Sequence, residues 1–300
     1  MRIQAYNQFH NIGDYNLNNQ RKVNKILKSR STLEGAGVRL ERVFGFHEVP
    51  LFDPFLLLDH FGSDNPDDYL AGFPWHPHRG IETITYMLEG EVEHEDSLGN
   101  KGVIKSGDVQ WMTAGSGIIH QEMPHRSEGL MQGFQLWANL PAKNKMMHPR
   151  YRDVKNEEIP EFSVNDKVLV KIICGNVNGT KGPVQDIVTD PEYIDVTIKP
   201  EGRFKHPKKQ GHTVLAYIFE GAGFFDHEQK QSINEGSVVL YADGDFVEIY
   251  TKEKQVRFLL ISGRPIGEPV AWNGPIVMNT EHELRVAFQE YRNKTFIKHK

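Results

Sequence analysis

The segment ETITYMLEG, residues 82–90, recurs in outline as TVLAYIFEG at residues 213–221. Both segments end in Tyr-x-x-Glu-Gly, and their tyrosines are 131 residues apart. A second pair follows in the same order, IKSGDVQWMTAG at 104–115 and INEGSVVLYADG at 233–244. A strand, a Glu-Gly turn and a further strand between glycines are therefore present twice. Repetition on this scale indicates two copies of one architectural unit.

Short β-forming segments extend this pattern over most of the chain. Examples are GVRLERVFGF, KVLVKIICG, EYIDVTIKP and VRFLLISG, and 27 glycines and 16 prolines punctuate the sequence. Short strands with frequent turn residues favour a sandwich or a barrel, so we predict an all-β protein of two stacked barrels. One helix is expected over TEHELRVAFQEYRN, residues 280–293. Thr280 is its expected N-cap, and Glu283 completes a capping box.

A polar segment separates the two β-rich halves. We interpret residues 142–163 as a linker between an N-terminal barrel at 22–141 and a C-terminal barrel at 164–300. Residues 1–21 are polar and rich in asparagine, and we interpret them as an N-terminal extension.

Composition limits the classes of function. The formal net charge is -5 and the sequence pI is about 6.3, so no general basic field favours direct contact with nucleic acid. No apolar run approaches the roughly 18 residues of a membrane span, and the first residues lack the apolar core of a signal peptide. The single cysteine, Cys174, excludes an intramolecular disulfide. Together these features indicate a cytoplasmic protein.

Two pairs of polar residues have the spacing of strand neighbours. In FPWHPHRGIE, residues 73–82, His76 and His78 are two apart, and GIIHQEMP places His120 and Glu122 at the same spacing. Residues i and i+2 of a strand share a face, so two adjacent strands could bring three imidazoles and one carboxylate together. That set suits iron, manganese, copper or zinc, and an open coordination position would make the metal chemically active. The alternative is that each pair is a turn or surface feature.

The second copy of the repeat can be compared with the first to decide between a metal site and this alternative. Alignment on the repeated turns places the four residues opposite Pro207, Lys209, Ile249 and Thr251. None of the four would then be kept in the second copy, although the turns around them are kept. This difference favours one metal site, in the N-terminal half.

The motifs HPHRGIETITYMLEGEVEHEDSLGN, SGDVQWMTAGSGIIHQEMP and GFQLWANLP closely resemble the pirin family of the cupin superfamily. The resemblance is dense over residues 22–141 and looser to about residue 290. It implies two stacked cupin (double-stranded β-helix, or jelly-roll) barrels, followed here by the short C-terminal helix. It also implies one iron in the N-terminal barrel, held by His76, His78, His120 and Glu122. Manganese, nickel, copper and zinc are the other metals considered.

The resemblance also implies activities and partners. Several bacterial pirins resemble quercetin 2,3-dioxygenases, which favours a flavonol such as quercetin and O₂ as substrates, with Glu122 as the catalytic base. A mammalian pirin is a nuclear transcriptional co-regulator, so the alternative is an iron-binding, redox-sensing protein that acts through a protein partner. A cupin enzyme of other chemistry is a third possibility. Pirins are commonly monomeric, and we expect a monomer.

Further residues are expected near the site. Glu82 has the parity of His78, and we expect it to face inward and support an imidazole or a backbone amide. Phe73, Met112 and Gln135 are the candidates for the pocket wall, and Trp75 and Trp111 also flank the ligand strands.

Overall fold

The computed structural model describes residues 19–299, which form two β-barrels and one C-terminal helix. The predicted all-β fold class is thereby confirmed. Most of the N-terminal extension predicted for residues 1–21 lies outside the described residues. Within the described part of the chain, no helix is long and apolar enough to cross a bilayer.

Twelve strands come before the second barrel begins, within the described residues. They are β1 (Val23–Lys28), β2 (Arg30–Glu34), β3 (Val38–Phe44), β4 (Phe55–Ser63), β5 (Phe73–His78), β6 (Ile81–Glu89), β7 (Val92–Asp96), β8 (Lys101–Ile104), β9 (Val109–Thr113), β10 (Ile118–Pro124), β11 (Met131–Asn139) and β12 (Arg150–Val154). Short 3₁₀ turns lie at Phe46–Glu48, Pro66–Asp68, Ala142–Asn144 and Asn156–Glu158.

The later strands and the helix follow in the rest of the described chain. They are β13 (Glu161–Asn165), β14 (Val168–Cys174), β15 (Asn176–Val177), β16 (Thr180–Lys181), β17 (Glu192–Ile198), β18 (Arg203–Pro207), β19 (Thr213–Gly223), β20 (Ile233–Asn234), β21 (Ser237–Tyr241), β22 (Phe246–Tyr250), β23 (Val256–Gly263), β24 (Ala271–Asn273), β25 (Ile276–Met278) and α1 (Glu281–Arg292). The Thr280 cap and its capping box with Glu283 are formed as predicted.

The sheets confirm the internal repeat. The larger sheet of the first barrel has the order β12-β9-β6-β11-β4-β3-β2, and that of the second has β1-β21-β19-β23-β17-β14-β13. The registers agree as well, because Tyr86 lies opposite Val109 and Tyr217 lies opposite Val238. The first barrel also has a four-stranded sheet, β5-β10-β7-β8, and the second has the pair β18-β22.

The two barrels exchange their edge strands. β1 pairs with β21 of the second barrel, whereas β12 pairs with β9 of the first. The leading strand of the N-terminal half therefore closes the sheet of the second barrel, and β12, within the predicted linker, closes that of the first. The domain boundaries at residues 22, 141 and 163 stay a prediction. The strand pairing shows in addition that strands are exchanged across them.

The two large sheets pack face to face around a shared apolar core. Residues that contribute to it from the two barrels include Phe44, Ile84, Tyr86, Trp111, Phe134, Tyr193, Leu215, Tyr217 and Leu259. A second cluster of aliphatic and aromatic side chains fills the interior of the second barrel. The first barrel keeps a cavity in its interior, and this difference positions the candidate site.

The C-terminal segment returns to the first barrel. The backbone N–H of Val277 donates to the carbonyl of Arg79 at 3.0 Å. The buried Arg79 guanidinium donates to the carbonyls of Ser116 and Phe296 and to a carboxylate oxygen of Glu290, each within 2.8 Å. This segment is thereby fixed beside the end of β5, where the two neighbouring histidines lie.

Candidate metal centre

Three histidines converge inside the first barrel. β5 and β10 are antiparallel, with His76 opposite His120, and alternation along β5 places His78 on the same face as His76. The candidate ligand atoms of the three imidazoles all lie within 4.8 Å of one another. The two strands, 42 residues apart between His78 and His120, therefore bring together the imidazoles that the spacing predicted.

Backbone carbonyls orient two of the imidazoles. His76 Nδ1 lies 2.9 Å from the carbonyl oxygen of Pro74, and His78 Nδ1 lies 3.1 Å from that of Pro275. Because a carbonyl can only accept, each Nδ1 carries the hydrogen, and each neutral ring has its lone pair on Nε2. These two Nε2 atoms are 3.0 Å apart. At that distance the two nitrogens can share one proton or one metal ion.

His120 is the third imidazole of the cluster. Its side chain is buried, and neither ring nitrogen has a hydrogen-bond partner among the described residues. A buried polar atom without a partner costs free energy unless a ligand satisfies it. Burial, and then the neighbouring imidazoles, hold the pKa of His78 and of His120 well below the usual range. Both rings are therefore neutral at physiological pH, and no bound proton competes with a metal.

Glu122 follows His120 on the same strand and is largely buried. The Thr85 hydroxyl donates to Glu122 Oε1 at 3.2 Å, and Gln135 Nε2 lies 3.4 Å from both carboxylate oxygens. The register of β10 against β5 shifts between His120 and Glu122. The carboxylate lines the same cavity as His76 and His78. Its role as a fourth ligand stays a prediction.

The cavity beside the histidines has a volume of about 700 Å³, which suits a small organic ligand. Most of its wall is apolar, and the aromatic contributors are Phe46, Phe61, Phe73, Trp137 and Trp272. The Trp137 ring stands perpendicular to the His78 ring, with centroids 5.1 Å apart. A flat aromatic ligand could therefore lie against these walls beside the histidines.

Two family models match the chain. The Pirin model covers residues 37–138, and the Pirin C-terminal cupin domain model covers residues 193–297. The chain belongs to the pirin family. The resemblance and the cupin fold inferred from the motifs are confirmed.

Related pirins match over nearly the whole chain. A Pseudomonas aeruginosa protein provisionally named a quercetin 2,3-dioxygenase is 45% identical over 264 residues, covering 87% of this chain and 92% of its own. Human Pirin is 40% identical over 280 residues, covering 92% of this chain and 94% of its own. The crystal structure of quercetin 2,3-dioxygenase from Acinetobacter baumannii superposes with a TM-score of 0.86 at 30% identity, covering 92% of this chain and 98% of that one.

The predicted pocket residues separate into two groups. Phe73 and Gln135 line the cavity of this pirin. Met112 does not, because it is fully buried in a different cluster with Ala114 and Ile118. Trp111, also predicted near the pocket, faces the shared core between the sheets. Trp75 is 46% exposed and is not part of the cavity wall.

Glu82 does not face the histidines as its parity predicted. Gly80, with φ of +78°, forms a turn between β5 and β6 and resets the alternation of side chains. Ile84 and Tyr86, which share the parity of Glu82 on β6, pack in the core between the sheets. The buried Glu82 carboxylate accepts a hydrogen bond from the Thr113 hydroxyl at 2.6 Å, and burial raises its pKa. The prediction that Glu82 supports an imidazole is therefore corrected.

Sequence reasoning missed several residues of the site. Thr85 touches Glu122, Pro275 orients His78, and Asp59 lies in the cavity wall. Asp59 could have been predicted from the sequence, because it is a lone carboxylate that follows the apolar run FLLL. Pro275 could not have been predicted, since it lies 197 residues from His78, the histidine that it orients.

The strand pairing also corrects the alignment of the second barrel. If Ile249 is the counterpart of His120, the pairing of Phe204 with Ile249 makes Phe204 the counterpart of His76. His206 then takes the position of His78, three residues before the predicted Lys209. The longer connection between β18 and β19 caused the error. The second barrel therefore keeps one of the three histidines, but a carboxylate pairs with it.

That carboxylate is Glu192, which lies 3.0 Å from His206 Nε2 and also pairs with Lys208. Burial alone would raise the pKa of Glu192, but its contacts with His206 and Lys208 lower it to about 2, below the ordinary 4.5. A lowered carboxyl pKa stabilises the fold above pH 4.5, and this contribution is lost as the pH falls toward 2. The cluster therefore has the character of a structural ion pair.

We expect Glu192→Gln to lower the free energy of unfolding by about 3 kcal/mol at pH 7, because the buried Lys208 loses its counterion and His206 loses its hydrogen-bond partner. The difference from wild type should shrink as the pH is lowered below 4.5. Denaturant unfolding between pH 7 and pH 3.5 measures both effects. The matched control is Glu248→Gln, which breaks the more exposed pair with Arg203 and should cost less than about 1 kcal/mol. A pH-independent loss in Glu192→Gln would contradict the linkage.

Proposed function

We propose that this pirin is a metal-dependent dioxygenase that cleaves a flavonol such as quercetin. The observation that carries the proposal is the cluster of three imidazoles, with Nε2 of His76 and Nε2 of His78 3.0 Å apart, at the end of a largely apolar cavity. The quercetin 2,3-dioxygenase name of the Acinetobacter baumannii structure supports the reaction class. The proposed metal ligands are His76, His78, His120 and Glu122.

Iron is the metal we propose, although three imidazoles and one carboxylate also accept manganese, nickel, copper or zinc. When bound, such a metal supplies Lewis-acid and redox chemistry toward a chelating substrate and O₂. The protein contributes the orientation of the ligands. His76 and His78 are fixed by carbonyls, so their lone pairs point to one place before any metal arrives.

Glu122 is the proposed base for the substrate hydroxyl. Its oxygens accept only long hydrogen bonds, 3.2 to 3.4 Å, from Thr85 and Gln135, so each retains capacity for another donor. These two residues hold the carboxylate at the cavity wall, where a bound hydroxyl group could reach an oxygen. The proton of that hydroxyl would pass to Glu122 Oε1 or Oε2.

The cavity walls provide binding and exclude water. Phe61, Phe73 and Trp137 present rings to the cavity and match the faces of a flavonol. A substrate that fills the cavity displaces water from the polar end, which strengthens the interactions of Glu122. A cytoplasmic location and a monomeric state remain predictions from the sequence.

Incubation of the metal-loaded protein with quercetin in air tests the proposal. We expect the visible absorbance of quercetin to fall at a rate proportional to protein concentration, and the metal-free protein to be inactive. Iron, manganese, nickel and copper should be compared in parallel. Absence of turnover with all four would contradict the dioxygenase. The protein's similarity to human Pirin would then favour the regulatory alternative, with a protein partner.

A further inference from the structure

A row of polar side chains crosses the interior face of the first barrel. Gln135 on β11 lies opposite Thr85 on one side and Asp59 on the other, and Asp59 lies opposite Arg42. Residues directly opposite in a sheet share a face, so all four are directed to the interior. Neighbouring strands are about 4.8 Å apart, which puts β3, the strand of Arg42, about 10 Å from the strand of Gln135. The row leads from the carboxylate of Glu122 to a second polar point.

That second point is an ion cluster in the cavity wall. Arg42 Nε and Nη2 donate to the two oxygens of Asp59 at 2.9 and 2.8 Å. Arg42 Nη1 lies 2.7 Å from Glu34 Oε1. All three residues line the same cavity as His76 and His78. The Asp59 cluster, defined as Glu34, Arg42 and Asp59, therefore faces any ligand that extends away from the histidines.

The charge of the cluster restricts what it can bind. One guanidinium lies between two carboxylates, so the cluster has a net charge of −1 when both are ionised. Burial raises the pKa of Asp59 to about 6, against the opposing effect of Arg42, so the carboxylate is still ionised at neutral pH. A negative cluster disfavours a carboxylate or phosphate on the ligand. It favours hydroxyl donors, because each Asp59 oxygen retains a lone pair beyond its bond to Arg42.

We propose that Asp59, held in place by Arg42, is a second recognition point that accepts hydrogen bonds from phenolic hydroxyls on the end of the substrate remote from the metal ligands. The inference rests on the proposed function and narrows its substrate class. On either side of this polar row the wall is apolar, with Leu57 and Phe61 flanking Asp59 on β4. The cavity therefore suits a flat molecule with a chelating group at one end, a hydrophobic body and hydroxyl donors at the other. Flavonols hydroxylated on the pendant phenyl ring have this pattern.

Two flavonols that differ only at the pendant ring provide the test. Quercetin carries two hydroxyls there, and galangin carries none. Dissociation constants are measured with the iron(II)-loaded protein without oxygen, from the quenching of tryptophan fluorescence, because Trp137 and Trp272 line the cavity. We expect wild type to bind quercetin about tenfold more tightly than galangin, the effect of one to two charge-assisted hydrogen bonds.

Asp59→Asn should reduce this preference to less than about twofold and leave galangin binding unchanged. Arg42→Lys, which keeps the charge but loses the two-point hold on Asp59, should reduce the preference in the same direction if Asp59→Asn does not fold. The matched control is Asp68→Asn, since Asp68 also pairs with an arginine of β3 but lies outside the cavity. This control should keep the full preference.

The outcomes separate the two proposals. Equal binding of quercetin and galangin by wild type, or an unchanged preference in both Asp59→Asn and Arg42→Lys, would overturn the recognition point. Turnover of both flavonols at equal efficiency would also overturn it, while the dioxygenase stands. Preferential binding of quercetin without any turnover would overturn the dioxygenase and support the recognition point. If neither flavonol binds, both proposals fail.

Discussion

Replacement of His120 by alanine is expected to lower metal affinity by at least about 100-fold and to abolish flavonol turnover. His120 is the buried imidazole whose two nitrogens lack hydrogen-bond partners among the described residues, so a metal is the partner that accounts for its burial. Substitution of a residue that only supports a metal ligand already lowers metal affinity by about 10- to 100-fold, and loss of a direct ligand should lower it further. Metal content after loading and dialysis, with calorimetric titration, gives the affinity.

The same substitution should have little effect on the unfolding of the metal-free protein, because no hydrogen bond from His120 is lost. Unchanged stability of the metal-free variant would indicate a metal ligand, because removal of a structural histidine would destabilise the metal-free form. His125→Ala is the matched control, since His125 is 46% exposed and contacts only surface glutamates. Full metal occupancy in His120→Ala would show that the metal site has been assigned wrongly.

Glu122→Gln is expected to reduce turnover by about 10² to 10⁴-fold at saturating metal, the usual contribution of a general base. The amide cannot take the substrate proton, yet it has the size of the carboxylate and keeps contact with Thr85 and Gln135. Anaerobic quercetin binding should persist within about threefold, so the loss would appear in kcat. Steady-state kinetics at matched metal occupancy measures it.

Glu95→Gln is the control for this change. Glu95 lies on β7, one residue after the position opposite Glu122, and alternation directs it outward, where it accepts from Gln121 at 3.4 Å. It should keep wild-type turnover. A Glu122→Gln variant that binds metal and turns over at the wild-type rate would remove the base assignment while leaving the metal site in place.

The fold and the histidine cluster were accessible from the sequence because their signals are local. The repeated Glu-Gly turns predict two barrels, and an i, i+2 spacing on a strand places His76 and His78 on one face. Thr280 and Glu283 predict the start of the only α-helix among the described residues. Each of these motifs is made of residues that lie close together in the sequence, so the pattern alone reveals it.

Other features depend on contacts that no local pattern encodes. The predicted direction of the Glu82 side chain was wrong because the turn at Gly80 separates β5 from β6. Side chains alternate with a period of two only within one strand. Pro275 reaches His78 through the return of the C-terminal segment. The cavity itself depends on which barrel interior is filled by side chains, and this is decided by contacts between strands far apart in the sequence.

The exchange of β1 and β12 gives the molecule the topology of a strand-swapped dimer contained within one polypeptide. A cut in the linker before β12 would not yield two independent domains, since each half would lose the strand that closes one edge of its sheet. Exposed edges pair readily with other chains, so the separated halves are expected to associate or aggregate. Because the two units share one chain, the second barrel stays joined to the first although its own interior is filled with apolar side chains. It is in this sense a permanent subunit of the first barrel.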